Sequence, residues 1–399
     1  MKATGIICEY NPFHTGHAHQ ISEIKKDGGA VVCLMSGHIT QRGEFAIADK
    51  YTRAACAIRG GADLVLELPF PYCAASAEFF ADAGVGALIS LGVEKINFGS
   101  ESGNRESLLR AAELTSSEEF EEKYRKKLAD NPTLGAAQAY FMTCRDMGIS
   151  DELLSNDILG VSYFKAALKR GCEDKLTVIL RDGSAYSSTQ IEKSKHPSAT
   201  ALRKELRERG ARALDFIPDE AREVLLSAIN DCGAPTDINK LTAAYLSFFR
   251  LCDPRSLSDF AEASGGLAER LCSAAAESRT LDEFFERAAA KRYTDSRVRR
   301  AAINCMIGVR PEDLRAAPAY LLLLAANKKG RELLASMRKT SGIPIVTKPA
   351  DAEALGDLAA RQSELSKRVD ALFCQALPKE KTASEYIKRS PFIEFSEND

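Results

Sequence analysis

The chain has 399 residues, 45% hydrophobic and 28% charged, with a formal net charge of −2 at pH 7, which is ordinary for a globular protein with room for two domains. It argues against a membrane span, since no apolar run approaches the ~18 residues one requires, and against a uniformly basic polyanion binder. Eleven cysteines lie singly with no C-x-x-C pair, so reduced, mostly buried thiols in a cytoplasmic protein are expected, with no metal site and no signal peptide.

In chain order, apolar runs bounded by Gly and Pro predict strands at Gly5–Cys8, Ala30–Met35, Asp63–Leu68, Lys95–Gly99 and Leu176–Leu180. Helix-period segments separate them at Thr15–Lys26, Ala48–Arg59, Ser76–Leu91 and Asp157–Lys169. Such alternation predicts an α/β fold, a Rossmann-like parallel sheet with helices on both faces. Acidic helical segments from Glu106 to Met147 read as an insertion, about residues 104–150. From Pro218 the texture turns helical: Pro218–Cys232, Asp237–Leu251, Leu257–Glu277, Leu281–Lys291 and Asp295–Ile307. Two short strands, Ala319–Ala325 and Ile343–Val346, flank a helix at Lys329–Lys339, and a last helix runs from Asp351 to Leu377. The expected division is a nucleotide-binding domain over 1–212 and a mainly α-helical domain over 213–399.

The most informative segment is Tyr10-Asn11-Pro12-Phe13-His14-Thr15-Gly16-His17, at the turn from the first strand into the first helix. An open α/β sheet binds phosphates there, against free helical N–H groups and the positive end of the helix dipole. Asn11-Pro12 forces an extended entry. Gly16 allows close approach to the backbone, and two imidazoles can donate to phosphoryl oxygens as their charge grows. The P-loop and G-x-G-x-x-G patterns are absent. His14-Thr15-Gly16-His17 resembles the HxGH signature of the nucleotidyltransferase superfamily, whose members form a bond to the α-phosphate of ATP.

Further polar clusters follow other strands, where the crevice of such a sheet is built. They are Met35-Ser36-Gly37-His38 with Gln41-Arg42-Gly43-Glu44 and Asp49-Lys50; Phe98-Gly99-Ser100-Glu101-Ser102-Gly103; and Ser198-Ala199-Thr200-Ala201-Leu202-Arg203. Ser198 and Thr200 suit helix capping or donation to phosphates, with Arg203 one turn in. Basic residues crowd Arg287 to Arg300 and Lys328 to Lys348. Such runs are either solvated helix faces or nucleic-acid grips.

These motifs, with Gly61-Ala62-Asp63-Leu64-Val65, Glu67-Leu68-Pro69, Asn156-Asp157-Ile158-Leu159-Gly160 and Lys291-Arg292-Tyr293-Thr294, resemble the bacterial tRNA(Met) cytidine acetate ligase family from the first residues to about 348. Two positions depart from it: His38 replaces a more usual Asn, and Ser187 follows Tyr186 where the family often has His.

The resemblance implies two steps. Acetate attacks the α-phosphate of ATP, giving acetyl-adenylate and pyrophosphate. The wobble cytidine of elongator tRNA(Met) then takes the acetyl group on its exocyclic amine. The ATP segment would be Ile7, Cys8, Glu9, Tyr10, Asn11, Pro12, Phe13, His14, Thr15, Gly16, His17, Ala18, His19 and Gln20. Gly103, Asn156 and Arg181 would add nucleotide contacts, and His14, His17 and Arg203 would be catalytic. Mg²⁺ is expected with ATP, and no DNA, membrane or protein partner is.

Lys291, Arg292, Tyr293, Arg297, Arg299, Arg300, Lys328 and Lys329 are the expected tRNA contacts, far from the nucleotide crevice, with Tyr293 stacking on a base. Two other activities fit the motifs alone: adenylyl transfer to a small-molecule phosphate, and non-catalytic RNA binding on the same fold.

Overall fold

The structure, a computed structural model, describes residues 2–131, 134–149, 155–181, 198–231 and 233–394; Ser187 lies outside them. Strand β1 (Ala3–Cys8) leads into helix α1 (Thr15–Lys25), then β2 (Ala30–Ser36), α2 (Lys50–Arg59), β3 (Leu64–Leu68), α3 (Ala77–Ser90) and β4 (Lys95–Ser100). Every residue of β2 and β3 is buried, as their largely apolar sequences, broken only by Ser36 and Glu67, require of central strands covered on both faces. Asp49 caps α2, its Oδ1 accepting the N–H groups of Tyr51 and Thr52 at 2.9 and 3.0 Å.

Three helices, α4 (Arg105–Thr115), α5 (Glu118–Asp130) and α6 (Ala136–Asp146), form the insertion before α7 (Ser155–Leu168) and β5 (Leu176–Leu180). The insertion is pinned to α7 by Lys165, whose ammonium lies 5.9 and 5.4 Å from the ring centres of Phe120 and Tyr140.

Beyond β5 come α8 (Ala199–Arg209), α9 (Asp219–Asn230), α10 (Thr242–Leu251), α11 (Pro254–Leu257), α12 (Leu267–Glu277), α13 (Leu281–Ala288), α14 (Asp295–Ile307) and α15 (Pro311–Arg315). Stacked Phe249 and Phe284, 5.4 Å apart, join α10 to α13. The chain closes with β6 (Leu321–Ala326), α16 (Lys328–Thr340), β7 (Ile345–Val346), α17 (Pro349–Glu353), α18 (Asp357–Gln375), α19 (Ala383–Ile387) and β8 (Phe392–Ile393).

The sheet order is β5-β4-β1-β2-β3-β6-β7, with β8 also on β6. Strands β1 to β5 are parallel as expected, and the order reverses between β1 and β4. That switch point leaves a crevice at the strands' C-terminal ends. Strand β6, however, pairs antiparallel with β3, so the change of texture near residue 213 is not a break in the sheet. The sequence Leu321-Leu-Leu-Leu-Ala-Ala is buried at every position. It therefore needs cover on both faces, which the large sheet supplies and a small helical body does not.

Two long helices expected from the sequence are broken. Gly265 and Gly266, at φ +78° and +91°, separate α11 from α12, and Gly356 at φ +114° separates α17 from α18. Gly266 and Gly356 are the N-caps of α12 and α18, and their positive φ turns the chain before each helix starts, although the hydrophobic period runs across them.

Side chains alternate between two apolar layers: Ile7, Val32 and Leu66 pack toward α3 and α7, Ile6, Val31 and Val65 toward α2. A buried charged cluster ties the last helices to the sheet. Lys50 Nζ lies 2.9 Å from Glu67 and 3.2 Å from Asp370 of α18, and His38 Nδ1 is 2.7 Å from Asp370. His38 Nε2 accepts the Lys50 N–H at 3.2 Å and meets the Tyr386 hydroxyl of α19 at 2.7 Å. Buried charges survive only when paired in this way.

Burial pushes the His38 imidazole down to about 4, against the upward pull of Asp370. The folded chain thus keeps His38 neutral where the unfolded chain binds a proton, below about pH 6.5. Stability is complete above that pH and falls as pH drops toward 4, by up to about 1.4 kcal/mol per unit from this group. Urea titrations from pH 7 to 4.5 should show the slope flattened in His38→Asn; an unchanged slope would assign the acid sensitivity elsewhere.

Candidate active site

The turn after β1 is shaped by its own side chains. Tyr10 takes φ +47°, an uncommon conformation for a bulky residue. The Asn11–Pro12 peptide is cis. Asn11 Oδ1 accepts the Ile47 N–H at 2.7 Å, fixing the turn against the loop that precedes α2. Phe13, 1% exposed, packs beneath at 5.0 Å from Tyr10. A Cβ on Gly60 would fall 2.1 Å from the Phe13 ring, so only glycine fits there.

His14 caps α1. Its Nδ1 accepts the Gly16 N–H at 3.1 Å, and the His14 N–H donates in return to His17 Nδ1 at 3.3 Å. The two rings stack 3.7 Å apart. With both Nδ1 atoms accepting, the neutral imidazoles carry their protons on Nε2. Burial, then the neighbouring His14 and Arg181, hold His17 well below the usual histidine range. The motif therefore presents two neutral N–H donors beside the N-terminus of α1, an arrangement suited to phosphoryl oxygens.

Around this turn lies a cavity of about 740 Å³, within the size range of small-molecule sites (roughly 300–1,000 Å³). Ile7, Cys8, Glu9, Tyr10, Asn11, His14, His17 and Gln20 line one side, with Phe98, Gly99, Asn156 and Arg181 beside them. Arg203 also reaches the cavity; it donates to the Asn11 carbonyl at 3.0 Å and to Thr200 Oγ1 at 3.1 Å, and lies 3.5 Å from Glu44.

Other residues singled out from the sequence hold the wall in place, and of these Asn156 also lines the cavity. Ser198 Oγ accepts the Ala201 N–H at 3.1 Å as a cap of α8. Gly103, at φ +62°, donates its N–H to Ser100 Oγ at 3.0 Å in a tight turn after β4. Asn156 donates to the Glu101 carboxylate, and Asp157 accepts from Ser100. His19 sits beside Glu23 at 4.0 Å. Pro12, Thr15, Gly16 and Ala18 form the turn and the first residues of α1 and are not among the residues lining the cavity.

The basic segments are not where the sequence alone suggests. The start of α14 forms the far wall of the cavity, through Thr294, Asp295, Ser296, Arg299 and Arg300. Gly43 explains the closeness: at φ +75°, a Cβ there would lie 2.7 Å from the Arg300 backbone nitrogen. Arg300 is buried, paired with Glu262 at 2.8 Å and bonded to the Gln41 carbonyl at 3.3 Å. Tyr293, 8% exposed, spends its hydroxyl on the Gly265 carbonyl, with the Arg297 guanidinium 5.1 Å from its ring centre. Its ring is packing, not a platform for a base.

Lys291 and Arg292 are exposed, while Arg297 and Arg299 are half-buried. Lys328 and Lys329 follow β6, at the N-terminal ends of the parallel strands, and Lys329 donates to the Gly29 carbonyl at 3.0 Å. The two basic runs thus occupy opposite ends of the sheet. Gln41, Arg42, Glu44 and Tyr163 also line the cavity; the polar loop at 41–44 was visible in the sequence, but Tyr163 carries no local signal.

The model of the HIGH nucleotidyltransferase family matches residues 1–389. This chain belongs to that family. It is 36% identical over 374 residues to the tRNA(Met) cytidine acetate ligase of Alkaliphilus metalliredigens, covering 87% of this chain and 88% of that one. The enzyme of the same name from Fervidobacterium nodosum is 35% identical, over 87% and 84%. Within the HIGH nucleotidyltransferases, the chain is thus a member of the tRNA(Met) cytidine acetate ligase family. The crystal structure of Thermotoga maritima TmcAL in its apo form I superimposes with a TM-score of 0.91 at 30% identity, covering 98% of this chain and 99% of that one. TmcAL bound with alpha-thio ATP, form II, gives 0.89.

Replacing either histidine removes an N–H donor from the cavity wall. His14→Ala and His17→Ala should each slow ATP–pyrophosphate exchange, with acetate present, on the order of 10²-fold or more, with far-UV circular dichroism unchanged. Near wild-type exchange in either variant would remove that histidine from the site.

Proposed function

We propose that this protein is an ATP-dependent ligase that forms acetyl-adenylate, with release of pyrophosphate, and transfers its acetyl group to the exocyclic amine of the wobble cytidine of elongator tRNA(Met), leaving N4-acetylcytidine. The observation that carries the reading is the pairing of two surfaces on one cavity. One side holds neutral His14 and His17 at the N-terminus of α1; the other is the basic start of α14. The names of the relatives and the alpha-thio ATP complex of a close structural neighbour support the same assignment.

Acetate is already ionised at pH 7, so adenylation depends on position and charge neutralisation more than on a base. Acetate attacks the α-phosphorus as the bond to pyrophosphate breaks. His14, His17 and Arg203, all on the cavity wall, stabilise the phosphoryl charge. Mg²⁺ keeps most of its waters and takes one or two carboxylates with substrate phosphates. Among the described residues no three-residue metal cage is formed, but Glu44 and Asp295 on the cavity wall fit that modest demand. The ion would neutralise triphosphate charge there.

A cytidine in a single-stranded loop is unstacked at low cost, and its Watson–Crick edge can then be read. Lys291 and Arg292, exposed just before α14, are the proposed backbone grip, with Arg297 and Arg299 further in. Lys328 and Lys329 lie at the opposite end of the sheet and are left out of this surface. No described helix is long and apolar enough to cross a membrane.

Incubation with ATP, Mg²⁺, labelled acetate and bulk bacterial tRNA should place label in a single nucleoside, N4-acetylcytidine, and only with ATP present. Replacing the wobble cytidine of elongator tRNA(Met) by uridine should abolish it, because uridine has no exocyclic amine. Label in that variant, or transfer that needs acetyl-CoA instead of ATP and acetate, would overturn the assignment.

Position along the basic segment 291–300 predicts a second contrast. Arg292→Ala should weaken tRNA binding and lower the salt slope by about one unit while sparing acetate-dependent exchange. Arg299→Ala, on the cavity wall, should lower both. Equal behaviour of the two variants in both assays would mean that the segment 291–300 does not divide its basic residues in this way.

A further inference from the structure

Acetyl transfer releases a proton from the attacking amine, and the signature histidines are poorly placed to take it. Both Nδ1 atoms already accept backbone N–H groups, so Nε2 of each neutral ring is a donor. Glu44, the carboxylate nearest Arg203, is bridged to it at 3.5 Å. Glu9 differs. It stands at the end of β1, lines the cavity one residue before Tyr10, and directs Oε1 to the Gln41 N–H at 2.8 Å. Among the described residues Oε2 has no hydrogen-bond donor.

We propose that Glu9 is the proton acceptor of the acetyl-transfer step, an assignment that rests on the ligase reading above. The amine nitrogen forms its bond to the acetyl carbonyl carbon. The bond from that carbon to the adenylate oxygen breaks, and its electron pair leaves on the phosphate of AMP. The amine proton passes to the Glu9 carboxylate. Acetylated cytidine, AMP and a neutral Glu9 result, with no further co-reactant.

The surroundings suit the task. Burial raises the proton affinity of Glu9 above the usual carboxylate range, assisted by Glu44 and opposed by the Gln41 N–H, Arg203 and Arg42. Arg53 from α2 and Tyr163 from α7 feel its charge, and α14 lines the same cavity with Arg299 and Arg300. A carboxylate with raised affinity can hold a proton and still lose it to solvent between turnovers.

The test supplies prepared acetyl-adenylate and elongator tRNA(Met), without ATP, and follows single-turnover formation of N4-acetylcytidine from pH 5 to 8. Wild-type protein should show an acidic limb as Glu9 becomes protonated. Glu9→Gln keeps the shape and can still accept the Gln41 N–H. It should slow transfer about 10²-fold or more and lose the limb. A variant at wild-type rate, or one that is slow but retains the limb, would overturn the assignment. So would a flat wild-type profile, which needs no variant at all. Wild-type protein that makes no N4-acetylcytidine from these reagents would overturn the ligase reading and Glu9's role with it. Normal wild-type transfer with an unaffected Glu9→Gln would overturn Glu9 alone.

Discussion

The crevice depends on one buried guanidinium. Parallel strands end in carbonyl groups that the next helix cannot satisfy, and here two such ends converge below the ligand cavity. Arg53, 2% exposed, donates to the carbonyl oxygens of Glu9, Ser36 and Gly37, and to that of Ala48 at 3.0 Å. One side chain thereby ties the end of β1, the end of β2 and the start of α2 into a single rigid edge. Buried carbonyls left unpaired would each cost about 1–3 kcal/mol. The planar fork of arginine, with five donors, matches this set in a way that a lysine ammonium would not.

From that edge the site is built outward in layers. The turn at residues 9–17 is held from below by Arg53 and Phe13, and from the side by Asn11 bonded to Ile47 and Arg203. The two Nδ1 atoms then accept backbone N–H groups at the start of α1, which sets the tautomer of each ring. That tautomer has a chemical consequence. Imidazoles fixed as donors suit the growing phosphoryl charge of the proposed adenylation, and Glu9, the proposed proton acceptor of the transfer step, has the opposite preference. Burial supplies both properties, lowering the proton affinity of His17 and raising that of Glu9.

The C-terminal half is structurally inseparable from this arrangement. Strand β6 extends the sheet, α18 brings Asp370 to Lys50 and His38, and α14 closes the cavity. The loop at 41–44 is therefore clamped between Arg300 on one side and Glu9 on the other. On the proposed reading, a tRNA seated on α14 would sit directly against the cavity, so that the base and the activated acetyl group would meet without a long internal channel.

Local pattern alone determined much of this protein. Strand β1, helix α1 and the His-Thr-Gly-His turn between them follow from hydrophobic period, Pro and Gly placement within some twenty residues, and so does the parallel run from β1 to β5. The residue types at 14, 16 and 17 are enough to indicate phosphate chemistry. Tertiary structure decided what depends on distant partners. The direction of β6 was set by which edge could bury Leu321–Ala326 on both faces, and no feature within the segment encodes it. Tyr293 reads as an exposed aromatic among charges, yet Gly265, far away in sequence, receives its hydroxyl. Lys329 and Arg299 look alike along the chain but stand at opposite ends of the sheet, because an antiparallel strand delivers α16 to the wrong side for the crevice. Arg53 and Glu9 acquire their roles only when the strand ends meet, since burial and hydrogen-bond partners are properties of the assembled fold and not of sequence neighbours.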